Sequence, residues 1–304
     1  MYLVPHLDRP VVNLGVSVVS AENGAVIDPW LLGSLDENDV QGEAGTPVDI
    51  NPLTFDFGLA IGAAATVFPR LQRFYVSVDS AQDVYTGEPL RGKYRLRYWV
   101  NDLRPPTIRL LTRRVAAGRP TLAVQARDTG AGVDPFSLLI AYKTVVLGAI
   151  AYDSSSGVAI YALPASAPQL RRGSTRAVFG ASDFQEAKNI TSFGPNVMPN
   201  TRYRGARIRA VRGTTATWLL PRSRGCLRGN QRLLVVANTT GRIRTVRFLD
   251  GKRRIKTVRN GISGLYAATW RAQAARHGRH RLRAVVDSGR GRDVVASRVV
   301  RLCK

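Results

Sequence analysis

Histidine, cysteine and long apolar runs are all scarce in this 304-residue chain, and each scarcity removes a class of function. The three histidines are His6, His277 and His280. None sits in a His-Gly-Thr setting, and no Gly-Thr-Ser-Met-Ala segment accompanies them, so a Ser-His-Asp triad lacks its positioned base. His277 and His280 stand among Arg276, Arg279, Arg281 and Arg283, whose charges repel a transition metal. The longest nearly uncharged stretch, Gly58 to Pro69, is broken by Gly62 and alanines and falls well short of the roughly 20 residues of a membrane-spanning helix. No transmembrane segment is expected. Met1 to His6 lack the basic start and apolar run of a secretory signal. Two expectations remain, a cytosolic protein or the downstream piece of a longer secreted one.

The two cysteines, Cys226 and Cys303, both lie in the last third. Joined, they would tie the start of that segment to its end, worth about 4–5 kcal/mol as an upper bound from chain entropy. Unjoined, they would be two buried thiols. Their placement at the two ends of one segment favours the pair, and with it an oxidising compartment.

Acidic residues are scarce in one place. Residues 1–103 carry 7 Lys+Arg against 13 Asp+Glu, residues 104–200 carry 11 against 5, and residues 201–304 carry 27 against 3. The whole net charge of +24 therefore has its equal in the last third alone. Codon bias explains Arg over Lys but not this gradient. With 44% hydrophobic residues the chain folds rather than staying disordered, and its length suits two or three domains of about 100 residues.

What is present is alternation. Tyr94, Leu96, Tyr98 and Val100 share one face of a strand, and Phe74 to Val78 reads the same way. After Asn101-Asp102-Leu103-Arg104-Pro105-Pro106, where two prolines mark a linker, short strand-like runs recur about every ten residues. They cover 107–112, 121–126, 138–143, 145–152, 158–163 and 177–181, a spacing that suits a β-sandwich. A looser boundary spans Phe193 to Arg204. Beyond it, 232–236, 243–249, 255–258, 265–270, 279–286 and 294–302 repeat the pattern, with a hairpin signal at Asp250-Gly251. Helical periodicity is weak; its best candidate, Leu265 to Arg276, contains a strand-like core. The expected fold class is all-β, a tandem of sandwiches divided as 1–103, 104–200 and 201–304.

The run Ala126-Arg127-Asp128-Thr129-Gly130-Ala131-Gly132-Val133-Asp134-Pro135 resembles a segment of bacterial immunoglobulin-like domains. Leu163-Pro164, Leu170, Gly173, Val178 to Asp183 and Lys188-Asn189 resemble their closing segment, with Lys188 where glycine is usual. His277 to Asp287 has a similar cast. The likeness covers about two thirds of the chain. It implies tandem immunoglobulin-like domains of the kind that serve as spacers, adhesion units and accessory domains outside the cell. Such domains stand in the non-catalytic C-terminal regions of secreted hydrolases, for example a subtilisin-like peptidase, so a catalytic domain upstream of Met1 is the implied context.

Asp128-Thr129-Gly130 invites an aspartic-protease reading, but that chemistry needs two such carboxylates and no second copy exists. Asp128 and Asp134, with Asp153 or Asp183 brought near by the fold, supply too few oxygens alone for Ca²⁺, so no metal and no cofactor is assigned. Capping of turn amides is the simpler role for these aspartates. The acidic run Asp36-Glu37-Asn38-Asp39 to Glu43 reads as a solvated loop that could dock on the basic end.

The basic end carries the functional expectation. Arg279, Arg281 and Arg283 alternate with His280, Leu282 and Ala284, which places three guanidinium groups on one strand face. Arg253, Arg254 and Lys256 follow the hairpin, and Arg202, Arg204, Arg207, Arg209 and Arg212 lead in. Arginine forks bind carboxylate and phosphate bidentately. The expected partner is an anionic cell-envelope polymer or polysaccharide met by a secreted or surface protein, and the chain itself is expected to be no enzyme. No zinc-finger spacing, RNP strand or helix-turn-helix supports nucleic acid. Two other classes stay open: a hydrolase using carboxylates such as Asp36, Asp39, Asp49 or Asp56, and an intracellular nucleic-acid binder with reduced thiols.

Overall fold

Period-two patterning makes half-buried strands, and strands that bury one face must pair face to face. The computed structural model of the chain describes residues 2–3, 13–21, 27–34, 40–43, 48–51, 56–59, 62–66, 73–80, 85–89, 92–100, 102–184, 200–221, 225–272, 275–289 and 293–303. Among these residues the named elements are strands apart from one 3₁₀ turn, Pro135–Ser137. The chain is an all-β array of sheets.

The first unit contains β1 (Tyr2–Leu3), β2 (Asn13–Ala21), β3 (Ile27–Ser34), β4 (Val40–Glu43), β5 (Val48–Asn51), β6 (Asp56–Leu59), β7 (Gly62–Thr66), β8 (Arg73–Ser80) and β9 (Tyr94–Val100). Its backbone forms a sheet β1-β8-β3-β4, a sheet β7-β2-β9 and a hairpin β5-β6. Residues 36–39 of the acidic run lie outside the described residues.

The second unit contains β10 (Thr107–Leu110), β11 (Arg114–Ala116), β12 (Thr121–Arg127), β13 (Leu139–Tyr142), β14 (Val145–Gly148), β15 (Ala151–Asp153), β16 (Val158–Ala162), β17 (Gly173–Ser182) and β18 (Thr201–Val211). A four-stranded sheet β10-β12-β16-β15 faces a five-stranded sheet β11-β18-β17-β13-β14. This is the strand order of immunoglobulin-type sandwiches. Between the sheets lie Leu122, Val124, Ile140, Tyr161, Phe179 and Ile208, with Tyr161 and Phe179 edge to face at 6.0 Å.

The boundary drawn at 200/201 on the sequence is corrected here. β18 pairs with β17 from Thr201↔Ser182 to Ala210↔Gly173, so Thr201–Val211 closes the second sandwich. The sequence hid this because Gly194, Pro195 and Pro199 read as a domain linker; residues 185–199, with Lys188 and Asn189, lie outside the described residues. Asn200 is buried and its Nδ2 donates to the Asp102 carbonyl at 2.8 Å, which ties the two ends of the unit together.

The third unit contains β19 (Thr214–Leu220), β20 (Cys226–Leu227), β21 (Gln231–Thr239), β22 (Thr245–Asp250), β23 (Arg253–Val258), β24 (Leu265–Trp270), β25 (Gly278–Asp287) and β26 (Val294–Leu302). Sheets β19-β21-β24 and β20-β26-β25-β22-β23 enclose Trp218, Leu233, Val235, Phe248, Leu282 and Val300. The Asp250-Gly251 signal is realised as the β22–β23 hairpin, with Gly251 at φ 57° and Asp250 opposite Arg253. The candidate helix from Leu265 is strand β24. Its Tyr266, Ala268 and Trp270 fill the third core, while Leu265 and Ala267 pack on the other side.

That other side belongs to the second unit. Ala123, Ala151, Val158 and Ile160 leave the outer face of the second unit's four-stranded sheet and meet Leu219, Leu234 and Val236 from the outer face of β19-β21-β24. Strands buried on both faces lose alternation and read as continuous apolar runs, as in Leu233 to Ala237. The two sandwiches therefore form one four-layer stack. Asn238, itself buried, clamps it: Thr121 N–H donates to Asn238 Oδ1 at 2.8 Å, and Asn238 Nδ2 donates to the Thr121 carbonyl at 2.9 Å.

Candidate functional site

The outermost layer of the third unit is the sheet β20-β26-β25-β22-β23, and its solvent face is built by strand parity. Leu282, Ala284 and Val286 of β25 point into the core, so Arg279, Arg281 and Arg283 point out. Arg279 stands opposite Arg301 of β26. Arg283 stands opposite Leu249, which stands opposite Arg254. Arg283 donates through Nε and Nη2 to the Gly251 carbonyl at 3.1 and 2.6 Å, which fixes its guanidinium beside the hairpin. Gly251, Lys252, Arg281, Arg283, Val295 and Ser297 line a shallow cleft of about 290 Å³.

Of the six cations named from sequence, four share this face. By register Arg253 pairs with Asp250 and Lys256 with the buried Phe248, so both take the opposite side of the edge strand. The bulge between Phe248 and Leu249 causes the split. Sequence reasoning missed Arg301 because only pairing with β25 brings it in. Of the third unit's three acids, Asp287 lies at the end of the outward row of β25 and accepts from Gly289 N at 2.7 Å, and the other two are paired. Asp250 Oδ2 lies 2.7 Å from His280 Nδ1, whose Nε2 is 2.6 Å from the Arg276 carbonyl, and Trp270 packs edge-on against that ring. Asp293 pairs with Arg247 at 2.7 Å at the rim. His280 is thus held at the sandwich edge, whereas His277 is exposed.

Cys226 and Cys303 are joined, with Cα atoms 5.7 Å apart, so the bond fastens the edge strand β20 to the end of β26, and Cys226 stands opposite Arg301.

A second polar cluster sits where the first and second units meet. One carboxylate oxygen from each of Asp102, Asp128 and Asp183 lies within 4.8 Å of the other two. Asp128 accepts from Gly130 N and Gly132 N at 2.7 and 2.9 Å, and Asp102 from Ala131 N at 2.7 Å. Burial pushes the Asp128 carboxyl up, the Asp102 charge adds to this, and the loop amides partly oppose it. A Cβ on Gly130 would run into the Asp102 carboxylate, and Gly132 holds φ 89°. Hence the Gly-Ala-Gly run of the resemblance is a requirement of this turn. Trp99, Ala131 and Phe184 pack beside it as a small core between the units. Three carboxylates this close could share a cation. Of the partners considered on sequence, Asp183 joins Asp128 here, and Asp102 is added by the fold. Asp134 instead caps the 3₁₀ turn through Phe136 N, and Asp153 caps its own turn through Ser155 and Ser156. Asp49 and Asp56 lie on β5 and β6, opposite Gly58 and Asn51, two rungs apart on one face of that hairpin.

No family model matches the chain, nor does any curated protein sequence. Among solved structures, the chain is similar to the fibronectin(III)-like modules of CbhA from Clostridium thermocellum, at 14% identity and a TM-score of 0.26, over 64% of this chain and 94% of that one. It is also similar to dimeric latent PorU from Porphyromonas gingivalis, at 14% identity and a TM-score of 0.38, over 96% of this chain and 30% of that one. The chain thus spans less than a third of the PorU chain's length. What either protein does stays with that protein at these values.

Proposed function

We propose that this chain is a non-catalytic accessory region that attaches to an anionic polysaccharide outside the cell through the outer sheet of its third unit. The observation that carries the reading is the face of Arg254, Arg279, Arg281, Arg283 and Arg301, five cations against a unit with three acids, of which Asp250 is turned to His280 and Asp293 to Arg247. Such a field attracts polyanions and weakens with salt. The Cys226–Cys303 bond supports an oxidising surrounding. Because β18 belongs to the second sandwich and the second and third units share a core, the test uses the full chain. Wild type is expected to bind polygalacturonate beads at low salt and to elute with added NaCl, while R279Q/R281Q/R283Q weakens binding at least tenfold. Equal binding by that variant, or binding that salt leaves unchanged, refutes the reading.

A further inference from the structure

The four-layer stack has two outermost sheets, and the second of them is also cationic. On β18, Ala206, Ile208 and Ala210 face the second unit's core, so Arg207 and Arg209 face solvent. Arg176 of β17 stands directly opposite Arg207, and Arg114 of β11 directly opposite Arg209. Arg172 and Arg212, just outside the strand ends, join Arg114 and Arg209 around a cleft of about 380 Å³. Among the described residues, the ion pairs are Arg247–Asp293 and His280–Asp250, so no carboxylate there pairs with any of these six arginines. The cluster of Asp102, Asp128 and Asp183 lies past the far end of the ten-residue β17, about 30 Å from Arg172.

Like charges directly opposite on neighbouring strands destabilise a sheet. Two successive Arg–Arg pairs, unrelieved by a carboxylate, are relieved by an anion from outside. One and two rows beyond Arg207 the same face turns apolar. Tyr203 is 65% exposed and Val178 40% exposed, and Tyr203 stands opposite Gly180, where the absence of a side chain lets the Tyr203 ring and Leu139 close over the backbone. An exposed aromatic ring on a glycine floor beside guanidinium forks suits a sugar ring that carries a carboxylate.

We infer that the outer sheet of the second unit is a second binding face for an acidic polysaccharide. It points away from the face on the third unit, at a separation of about 30 Å, three sheet-to-sheet spacings. Resting on the proposed attachment by the third unit, the molecule then bridges two polysaccharide chains rather than holding one. The core shared by the two units keeps the faces back to back.

The experiment uses the full chain and two populations of polygalacturonate-coated beads of different colour. Wild type is expected to co-aggregate the two colours at low salt and to bind two polygalacturonate segments per molecule. R114Q/R209Q is expected to keep bead binding, lose co-aggregation and fall to one segment per molecule. Without ligand its Tm rises or is unchanged, because a repulsive pair is removed. Y203A shows the same loss of bridging with the charge intact. Co-aggregation by R114Q/R209Q equal to wild type overturns the inference, as does a single segment bound per wild-type molecule. So does preference for single-stranded DNA over polygalacturonate. Should R279Q/R281Q/R283Q bind as wild type while R114Q/R209Q binds nothing, the second-unit face stands and attachment by the third unit fails.

Discussion

Replacing Asn238 by alanine tests whether the second and third units are one folded body. The Asn238 carboxamide makes two hydrogen bonds to the Thr121 backbone across the shared core, at 2.8 and 2.9 Å, and both residues are under a tenth exposed. N238A strips a buried N–H and a buried C=O of their partners. Each orphaned group costs about 1–3 kcal/mol, and water entering the small space left behind recovers part of it. The expected loss is about 2–4 kcal/mol. Urea unfolding read by tryptophan fluorescence suits the test, since Trp218 and Trp270 are buried in the third core. Far-UV circular dichroism reports all sheets. In wild type the two signals should coincide for the second and third units. In N238A both should move together to lower urea. N260A, at an exposed position, is the control and should stay within about 0.5 kcal/mol. A loss in N238A no larger than that of the control refutes the argument that this clamp holds the stack.

Several other perturbations have signs fixed by the structure. C226S/C303S removes the tie between β20 and β26 across a sequence separation of 77, so stability of the third unit should fall by up to about 4–5 kcal/mol, and dithiothreitol should lower the Tm of wild type but not of the variant. R298M removes the guanidinium that donates to the carbonyls of Trp218, Leu219 and Pro221, and should cost about 2–3 kcal/mol in urea unfolding, with R298K recovering only part. Asp128 is raised above its ordinary 3.8 by burial and by Asp102, so its ionisation costs native stability as pH rises from 3.8 through the raised native value. The Tm of D128N relative to wild type should therefore climb across that window and level off above it. A gap that is flat with pH would show that Asp128 ionises as freely in the native state as in the unfolded chain.

The alternation of Tyr94 to Val100, 107–112 and 279–286 was enough to read strands, and β9, β24 and β26 have the bounds that patterning alone gives, because a strand with one wet face records its parity in every second residue. The outward row Arg279, Arg281 and Arg283 was legible for the same reason. Pairing was not. Arg301 joins that row, and Arg253 and Lys256 leave it, through registers and a bulge that no local pattern encodes. β18 was lost to a misleading run of glycine and prolines, and its arginines moved with it from the third unit to the second. The meeting of Asp102 with Asp128 and Asp183 is set by contacts distant in sequence. The continuous apolar stretches 122–124, 158–161 and 233–237 did carry a signal of burial on both faces, but which sheet covers them is a matter of complementary shape between distant segments. By itself, then, the sequence determined an all-β chain with a basic end, since strand parity and charge are local properties. Only the tertiary structure decided that two sandwiches share a core and turn two arginine faces in opposite directions, since layer order follows from which apolar faces exclude water together.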